Sequence, residues 1–438
     1  MPKKYWLFLL AVTVGLAFSV WLGSRLPKPT LQSPEVGSRG GIRLLFATEM
    51  QPESVTGRFT ITSGEEYWLV YEGKELTAWP RTYWKAGEVI SFQLADGAES
   101  VDGRKITAGM SGVVHVRQPE IVYLSLRSGM ADIWKINAAG EEQPLSDQGE
   151  GGVSELAVST DGEWIVYSRE NEMGGADLWI MDRSGGQRRE AQACGSAICG
   201  EMAWQPGSQR IAYSQYFEGS SGQPQVWILD VASGNTVPFF ADVDMAGMLP
   251  GFSPDGKYIS LYSPVVGGVF VQRLADGKTS ILETSIPQPA VWSVDSRAVY
   301  LLKSLALEGQ PADKVYRFDL EDSRMDLALG TKDDAYNYGA PAINPQDGKV
   351  AAPVRQLEGG LSSQVWLFEI GEERVQPITN EPAFIHGNLS WNPEGSQLLI
   401  QRFMVDSSEQ LPQILVWDTG DGEISRIIEN GIQAEWLP

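Results

Sequence analysis

Phe252-Ser253-Pro254-Asp255-Gly256-Lys257 leads a buried-strand residue through a Pro-Asp-Gly turn into an alternating apolar strand, Tyr258-Ile259-Ser260-Leu261-Tyr262. Variants of this phrase recur at Ala157-Val158-Ser159-Thr160-Asp161-Gly162, Trp204-Gln205-Pro206-Gly207-Ser208, Trp292-Ser293-Val294-Asp295-Ser296, Ile343-Asn344-Pro345-Gln346-Asp347-Gly348 and Trp391-Asn392-Pro393-Glu394-Gly395. A spacing of roughly 40 to 50 residues is the period of propeller blades. That period decides the fold.

Each unit carries a second signature, about 20 residues beyond the phrase where the phrase is present. It is an alternating strand that ends near an acidic residue: Ile133-Trp134-Lys135-Ile136-Asn137, Leu178-Trp179-Ile180-Met181-Asp182, Val226-Trp227-Ile228-Leu229-Asp230, Val315-Tyr316-Arg317-Phe318-Asp319, Val365-Trp366-Leu367-Phe368-Glu369 and Ile414-Leu415-Val416-Trp417-Asp418, with Val269-Phe270-Val271-Gln272-Arg273 as a weaker copy. Gly-bearing turns such as Ser184-Gly185-Gly186 and Ser233-Gly234-Asn235 come next, then one more short strand. Four short strands joined by tight turns form one blade, and a blade buries its faces only by stacking on its neighbours. The first unit opens at Ile121-Val122-Tyr123-Leu124 without an inner strand. The missing piece stands at the far end, in Ile432-Gln433-Ala434-Glu435-Trp436-Leu437-Pro438. The expectation is an all-β chain with a seven-bladed β-propeller over 118–438, closed by its last strand, and six blades as the alternative.

The Ser-Pro-Asp-Gly-Lys and Leu-Trp-Ile-Met-Asp strings resemble the TolB-type, WD-repeat-like propeller units of extracytoplasmic bacterial proteins. The resemblance implies fold over roughly residues 118 to 438 and leaves function open. TolB itself resembles a six-bladed ring with a different N-terminal domain, so its partners do not carry over.

Ahead of the propeller, Tyr5 through Leu22 is an uncharged apolar run of about 18 residues, near the minimum for a bilayer span. Lys3 and Lys4 precede it, which predicts a cytoplasmic N-terminus and an exported remainder. Residues 1–23 therefore read as a signal-anchor transmembrane helix, a cleaved signal peptide being the alternative. Residues 24–41, rich in Pro, Ser and Gly without periodicity, read as a flexible linker. Residues 42–117 hold strand-like runs at Ile42–Phe46, Arg58–Thr62, Tyr67–Tyr71, Glu88–Leu94 and Gly112–Val116, the pattern of a small sandwich. Phe46-Ala47-Thr48-Glu49-Met50, Ala78-Trp79-Pro80 and Asp102-Gly103-Arg104-Lys105-Ile106 resemble the bacterial Ig-like (SbsA-type) domain of surface-layer proteins, which implies a spacer.

The chain has 438 residues, 42% of them hydrophobic, and a net charge of −22. Phosphate binding needs a basic face, so nucleic acid is disfavoured as a partner. Cys194 and Cys199 are the only cysteines. Five apart in a loop of an exported protein, they favour a disulfide, with two free thiols as the alternative. Zinc lacks the ligands for a four-coordinate site, no acidic cluster has EF-hand spacing, and no metal or cofactor is expected. No Gly-x-Ser-x-Gly elbow is present, and His115 and His386 are the only histidines, so no catalytic residue is assigned. The acids Asp161, Asp255 and Asp347 precede Gly or its equivalent and read as hairpin residues.

The loops that fail to repeat are Arg169–Ala176, Gln215–Pro224, Lys303–Asp313, Arg355–Gln364 and Arg402–Gln413. Long loops on a rigid ring suit recognition. Aromatics in or near them, Tyr216, Phe217, Tyr336, Tyr338, Phe384 and Phe403, together with His386, are the candidate binding residues. The functional expectation is a membrane-anchored extracytoplasmic binding or scaffolding protein, non-catalytic, that engages a cell-envelope or surface protein, peptide or glycan. The alternative is a propeller hydrolase or lyase that acts on envelope glycans through carboxylates at the channel mouth.

Overall fold

Each Pro-Asp-Gly phrase is the hairpin between the first two strands of a four-stranded antiparallel sheet. At Ser253–Tyr258, Ser253 Oγ donates to Asp255 Oδ1 at 2.7 Å, and the Lys257 N–H donates to the same oxygen at 3.1 Å. Gly256 takes φ +68°, which a residue with a Cβ adopts only with strain. The Ser–Asp bond recurs at 2.7 Å between Ser159 and Asp161 and between Ser293 and Asp295. These aspartates close turns, as their spacing predicts.

The computed structural model describes residues 27–146, 152–217, 219, 222–242, 245–307, 309–370, 375–406 and 411–438. The run Tyr5–Leu22 lies outside the described residues. Among those described, no helix is long and apolar enough to cross a membrane. The chain divides between Gln118 and Pro119 into two compact units.

The N-terminal unit carries two four-stranded sheets. Pro29–Leu31, Ile42–Phe46, Glu75–Pro80 and Tyr67–Glu72 form one; Glu35–Val36, Met110–Val116, Val89–Leu94 and Phe59–Ile61 form the other. Their alternating inward residues, among them Leu44, Phe46, Leu76, Phe92, Leu94 and Val114, make a single core around the buried Trp84. The linker reading of 24–41 fails from Pro29 onward. Pro29–Leu31 pairs with Leu44–Phe46, and Glu35–Val36 runs parallel to His115–Val116. Trp84 Nε1 donates to the Gly40 carbonyl at 2.7 Å. Two- and three-residue edge strands are too short to show periodicity, and Pro is compatible with the first position of an edge strand.

In the C-terminal unit, successive four-stranded meanders follow one another along the chain. The first consists of Glu120–Ser125, Asp132–Ile136 and Glu142–Pro144, and Gly431–Leu437 supplies its inner strand. That strand pairs antiparallel from Gly431 opposite Ser125 to Leu437 opposite Glu120. Second-strand residues such as Ile165, Ile211, Ile259, Val299, Val350 and Leu398 are buried and fill the space between neighbouring sheets. Four inner-strand tryptophans hook their units onto the one before. Trp204 Nε1 donates to the Ala157 carbonyl at 3.1 Å, Trp391 Nε1 to Ala342 O at 3.2 Å and Trp436 Nε1 to Ser390 O at 3.0 Å. Trp292 Nε1 reaches Ser260 Oγ at 3.1 Å in the same direction.

One expected loop is absent. Ala298–Leu307 and Gln310–Asp319 pair along their full length, so Lys303–Asp313 is mostly a protruding β-ribbon. Alternating residues such as Leu305 and Ala312 let the strands continue past the point where the other units turn.

Candidate functional site

Each meander places its first-to-second and third-to-fourth turns at one end. Its second-to-third loop and the connection to the next unit lie at the other. The loops of one unit rest on the next unit's entry strand: Ala176 pairs parallel with Ile198, and Ser363 with Ile385. Asn171 Nδ2 donates to Gly195 O at 2.8 Å across the same junction. The irregular loops therefore share one end of the unit.

That end is apolar at its tips. Met130, Met173, Phe217, Val265, Leu361 and Leu411 each sit in a second-to-third loop, and Phe403 lies near the end of a second strand. All keep between 41% and 68% of their surface open. The turn end carries fewer such residues among those described: Leu274, Val294 and Ile370.

The seven candidate residues divide. Phe217 and Phe403 are exposed, while Tyr216 is half-buried at the end of Arg210–Tyr216. Tyr336 is half-buried with its ring edge-on to Trp366 at 5.2 Å. Phe384 lies under the Arg402 guanidinium at 4.2 Å. Tyr338 and His386 are buried and cannot meet a partner, which corrects the expectation for both. Tyr338 donates its hydroxyl to Asp334 at 3.0 Å, and the Lys314 ammonium lies 5.3 Å from its ring centroid. Burial, then the Asp334 charge, pushes that hydroxyl's pKa up. Lys314 is itself buried and is held by Asp334 and by the Tyr336 carbonyl at 2.9 Å, the compensation that a buried charge requires. His386 Nδ1 lies 2.6 Å from Ser363 O, and its Nε2 lies 3.0 Å from Glu381 Oε2. Glu381 also takes the Arg402 guanidinium. Burial opposes ionisation of Glu381, but hydrogen bonds from Arg402 and His386 outweigh it and hold the carboxyl below its usual range. Both clusters brace the connections between units.

Cys194 and Cys199 form a disulfide in the connection that enters Ile198–Trp204. Asp177 Oδ1 accepts from the Cys194 N–H at 2.7 Å and from Asn171 Nδ2 at 2.9 Å, so the staple is tied to the adjacent loop.

The exposed aliphatic tips were not among the candidates. Their sequence signal is a large apolar residue beside glycine in a second-to-third loop, as in Gly129-Met130 and Gly360-Leu361, where both glycines have positive φ. A second group that spacing does not reveal is a row of carboxylates on consecutive inner strands. Glu435 Oε2 accepts the Val158 N–H at 2.9 Å, Glu155 accepts the Glu201 N–H, and Glu201 accepts the Leu249 N–H at 2.8 Å. Each bond spans two neighbouring units. Burial pushes the Glu435 carboxyl up to about 7, with the Val158 N–H opposing. Burial also raises Glu155, helped by the nearby Glu201 charge and opposed by the Glu201 N–H. Bulges with left-handed residues at Glu201, Leu249, Asn388 and Gln433 interrupt these inner strands. No metal-ligating cluster occurs among the described residues.

No protein-family model matches the chain. No curated protein sequence matches it either. Solved structures do. A structure of prolyl endopeptidases is 14% identical with a TM-score of 0.52; the match covers 80% of this chain and 49% of that one, about half its length. TolB from Acinetobacter baumannii is 13% identical over 73% of this chain and 81% of that chain, with a TM-score of 0.43. The β-propeller domain of the Trilobed protease from Pyrococcus furiosus is 14% identical over 79% of this chain and 93% of that chain, with a TM-score of 0.49. The C-terminal unit is a β-propeller. At these identities the likeness concerns fold alone.

Proposed function

We propose that this chain is an extracytoplasmic binding or scaffolding protein. Its head is a seven-bladed propeller closed by Gly431–Leu437, an Ig-like sandwich acts as spacer, and the apolar run Tyr5–Leu22 holds it to a membrane. The observation that carries the reading is the recurrence of an exposed apolar side chain at the tip of one second-to-third loop after another. Exposed apolar patches of this kind mark interaction surfaces. The Cys194–Cys199 disulfide supports an oxidising compartment outside the cytoplasm. The expected partner is a protein or peptide of the cell envelope.

The test is affinity capture from envelope fractions with the full chain and with a variant carrying Met173→Ser, Val265→Ser and Leu361→Ser. The variant keeps its unfolding temperature and loses the captured partner. Unchanged capture by this variant would overturn the reading.

A second reading is favoured by the row of carboxylates Glu435, Glu155 and Glu201 on consecutive inner strands, since burial raises the first two and carboxyls in such a setting can act as general acids. It is a hydrolase or lyase acting on envelope glycans. It requires that Glu435→Gln and Glu155→Gln each abolish a glycan-cleaving activity of the wild-type chain. In the binding reading neither substitution changes partner capture.

A further inference from the structure

The two propeller ends differ in the bases that accompany their acids. At the turn end, bases stand among the acids: Asp230 pairs with Arg210 at 3.9 Å, Asp255 with Lys257 at 3.3 Å and Asp347 with Lys349 at 2.9 Å, beside the exposed Glu141, Glu321, Asp322 and Glu423. At the loop end, Glu170, Glu172, Glu283, Asp333, Glu358 and Asp406 are exposed and stand outside the ion pairs of the described residues. The bases near them are engaged. Arg127 pairs with Glu142, Arg402 with Glu381 and buried Lys314 with Asp334; Arg169 stacks over Trp179 at 5.1 Å. Outside these contacts, the bases at this end among the described residues are the exposed Lys332 and the half-buried Lys303 and Arg355.

This acidic surface is interleaved with the apolar tips Met130, Met173, Val265, Leu361 and Leu411. Aliphatic and thioether side chains, which outnumber the exposed rings of Phe217 and Phe403 at this end, suit the apolar side chains of a partner polypeptide. An anionic lipid surface or a nucleic acid would be repelled.

Resting on the binding reading above, we propose that the loop end takes a cationic, apolar polypeptide segment, in which Lys or Arg alternates with Leu-, Ile- or Phe-type residues. Its bases meet the row of exposed carboxylates, and its apolar side chains settle among the loop tips. Charge complementarity of this kind speeds encounter and sets which segment is accepted.

The experiment measures fluorescence anisotropy of three labelled peptides of equal length with the full chain: Lys/Leu, Glu/Leu and Lys/Ser alternations. Two variants carry four charge-neutralising substitutions each. The loop-end variant has Glu170→Gln, Glu172→Gln, Glu283→Gln and Glu358→Gln; the turn-end variant has Glu141→Gln, Glu321→Gln, Asp322→Asn and Glu423→Gln. The Lys/Leu peptide binds best, loses about tenfold or more in affinity with the loop-end variant, weakens with added salt, and binds the turn-end variant as it binds the wild type. Equal loss with the turn-end variant overturns the proposal, as does equal or tighter binding of the Glu/Leu or Lys/Ser peptide. Binding by all peptides that disappears with Met173→Ser, Val265→Ser and Leu361→Ser overturns the cationic assignment and leaves the binding reading standing. If no peptide binds, or if the apolar-tip variant binds as the wild type does, the proposal falls; in the latter case the binding reading falls with it.

Discussion

Glu435 shows how one side chain ties the closing strand to the rest of the ring. It stands on Gly431–Leu437, and its carboxylate accepts the Val158 N–H of the next unit at 2.9 Å. Burial raises its pKa from the ordinary 4.5 to about 7, so the folded state holds a proton that the unfolded chain releases at lower pH. A raised folded pKa contributes stability that is fully present below pH 4.5 and is lost as pH rises through about 7. Burial raises Glu155 in the same direction. Glu435→Gln keeps an acceptor for the Val158 N–H and removes the titration. The residue retains some open surface, and after discounting for solvent the difference is on the order of 2 kcal/mol. Urea unfolding at pH 5 and at pH 8 checks this: the variant matches the wild type at pH 5 and is more stable at pH 8. An equal difference at both pH values would show that Glu435 does not titrate in this window.

Among the elements, hairpins were the most legible part of the sequence and connections the least. Ser253, Asp255 and Gly256 fix a turn through their own local bonds, so their order in the chain is sufficient. Tyr338 and His386 were misread because their fate depends on Lys314, Asp334, Ser363 and Glu381, residues brought to them only by the stacking of units. The short edge strands Pro29–Leu31 and Glu35–Val36 escaped for a related reason, since their pairing partners lie in distant strands. Cys194 and Cys199 lie between these extremes: the spacing permitted a disulfide, and the fold forms one. A loop this short contributes about 2 kcal/mol by the chain-entropy argument. Cys194→Ser with Cys199→Ser lowers the urea midpoint of the propeller, and reductant reproduces the shift in the wild type. If reductant moves the midpoint of the double variant as well, the disulfide is not its cause. Because Asn171 and Asp177 also hold the connection, amide exchange rises first at Cys194–Ala197.

At the scale of the whole molecule, periodicity disclosed the propeller because every unit needs a neighbour on each face, and the repeat is the record of that need. Function left no comparable record. The apolar tips Met173, Val265 and Leu361 differ in residue type and position within their loops, so only their common end of the fold unites them. The same architecture makes closure a property of the ring. Trp436 is buried, donates to the Ser390 carbonyl at 3.0 Å, and joins a core with Ile121, Tyr123, Leu399 and Val416. Removing it opens a cavity between the last unit and the first, and it exposes the edge of Glu120–Ser125 to pairing with other chains. Trp436→Ala therefore costs about 3–5 kcal/mol, as Trp-to-Ala substitutions in cores do. The loss appears in the propeller's transition as a whole, because every unit shares faces with its neighbours. The N-terminal sandwich has its own core around Trp84. Its transition keeps its midpoint in Trp436→Ala, whereas Trp84→Ala lowers it and leaves the propeller's in place. Calorimetry and amide exchange of both variants beside the wild type decide the matter: a Trp436→Ala loss confined to amides of the first unit would show that the ring is not closed through this strand.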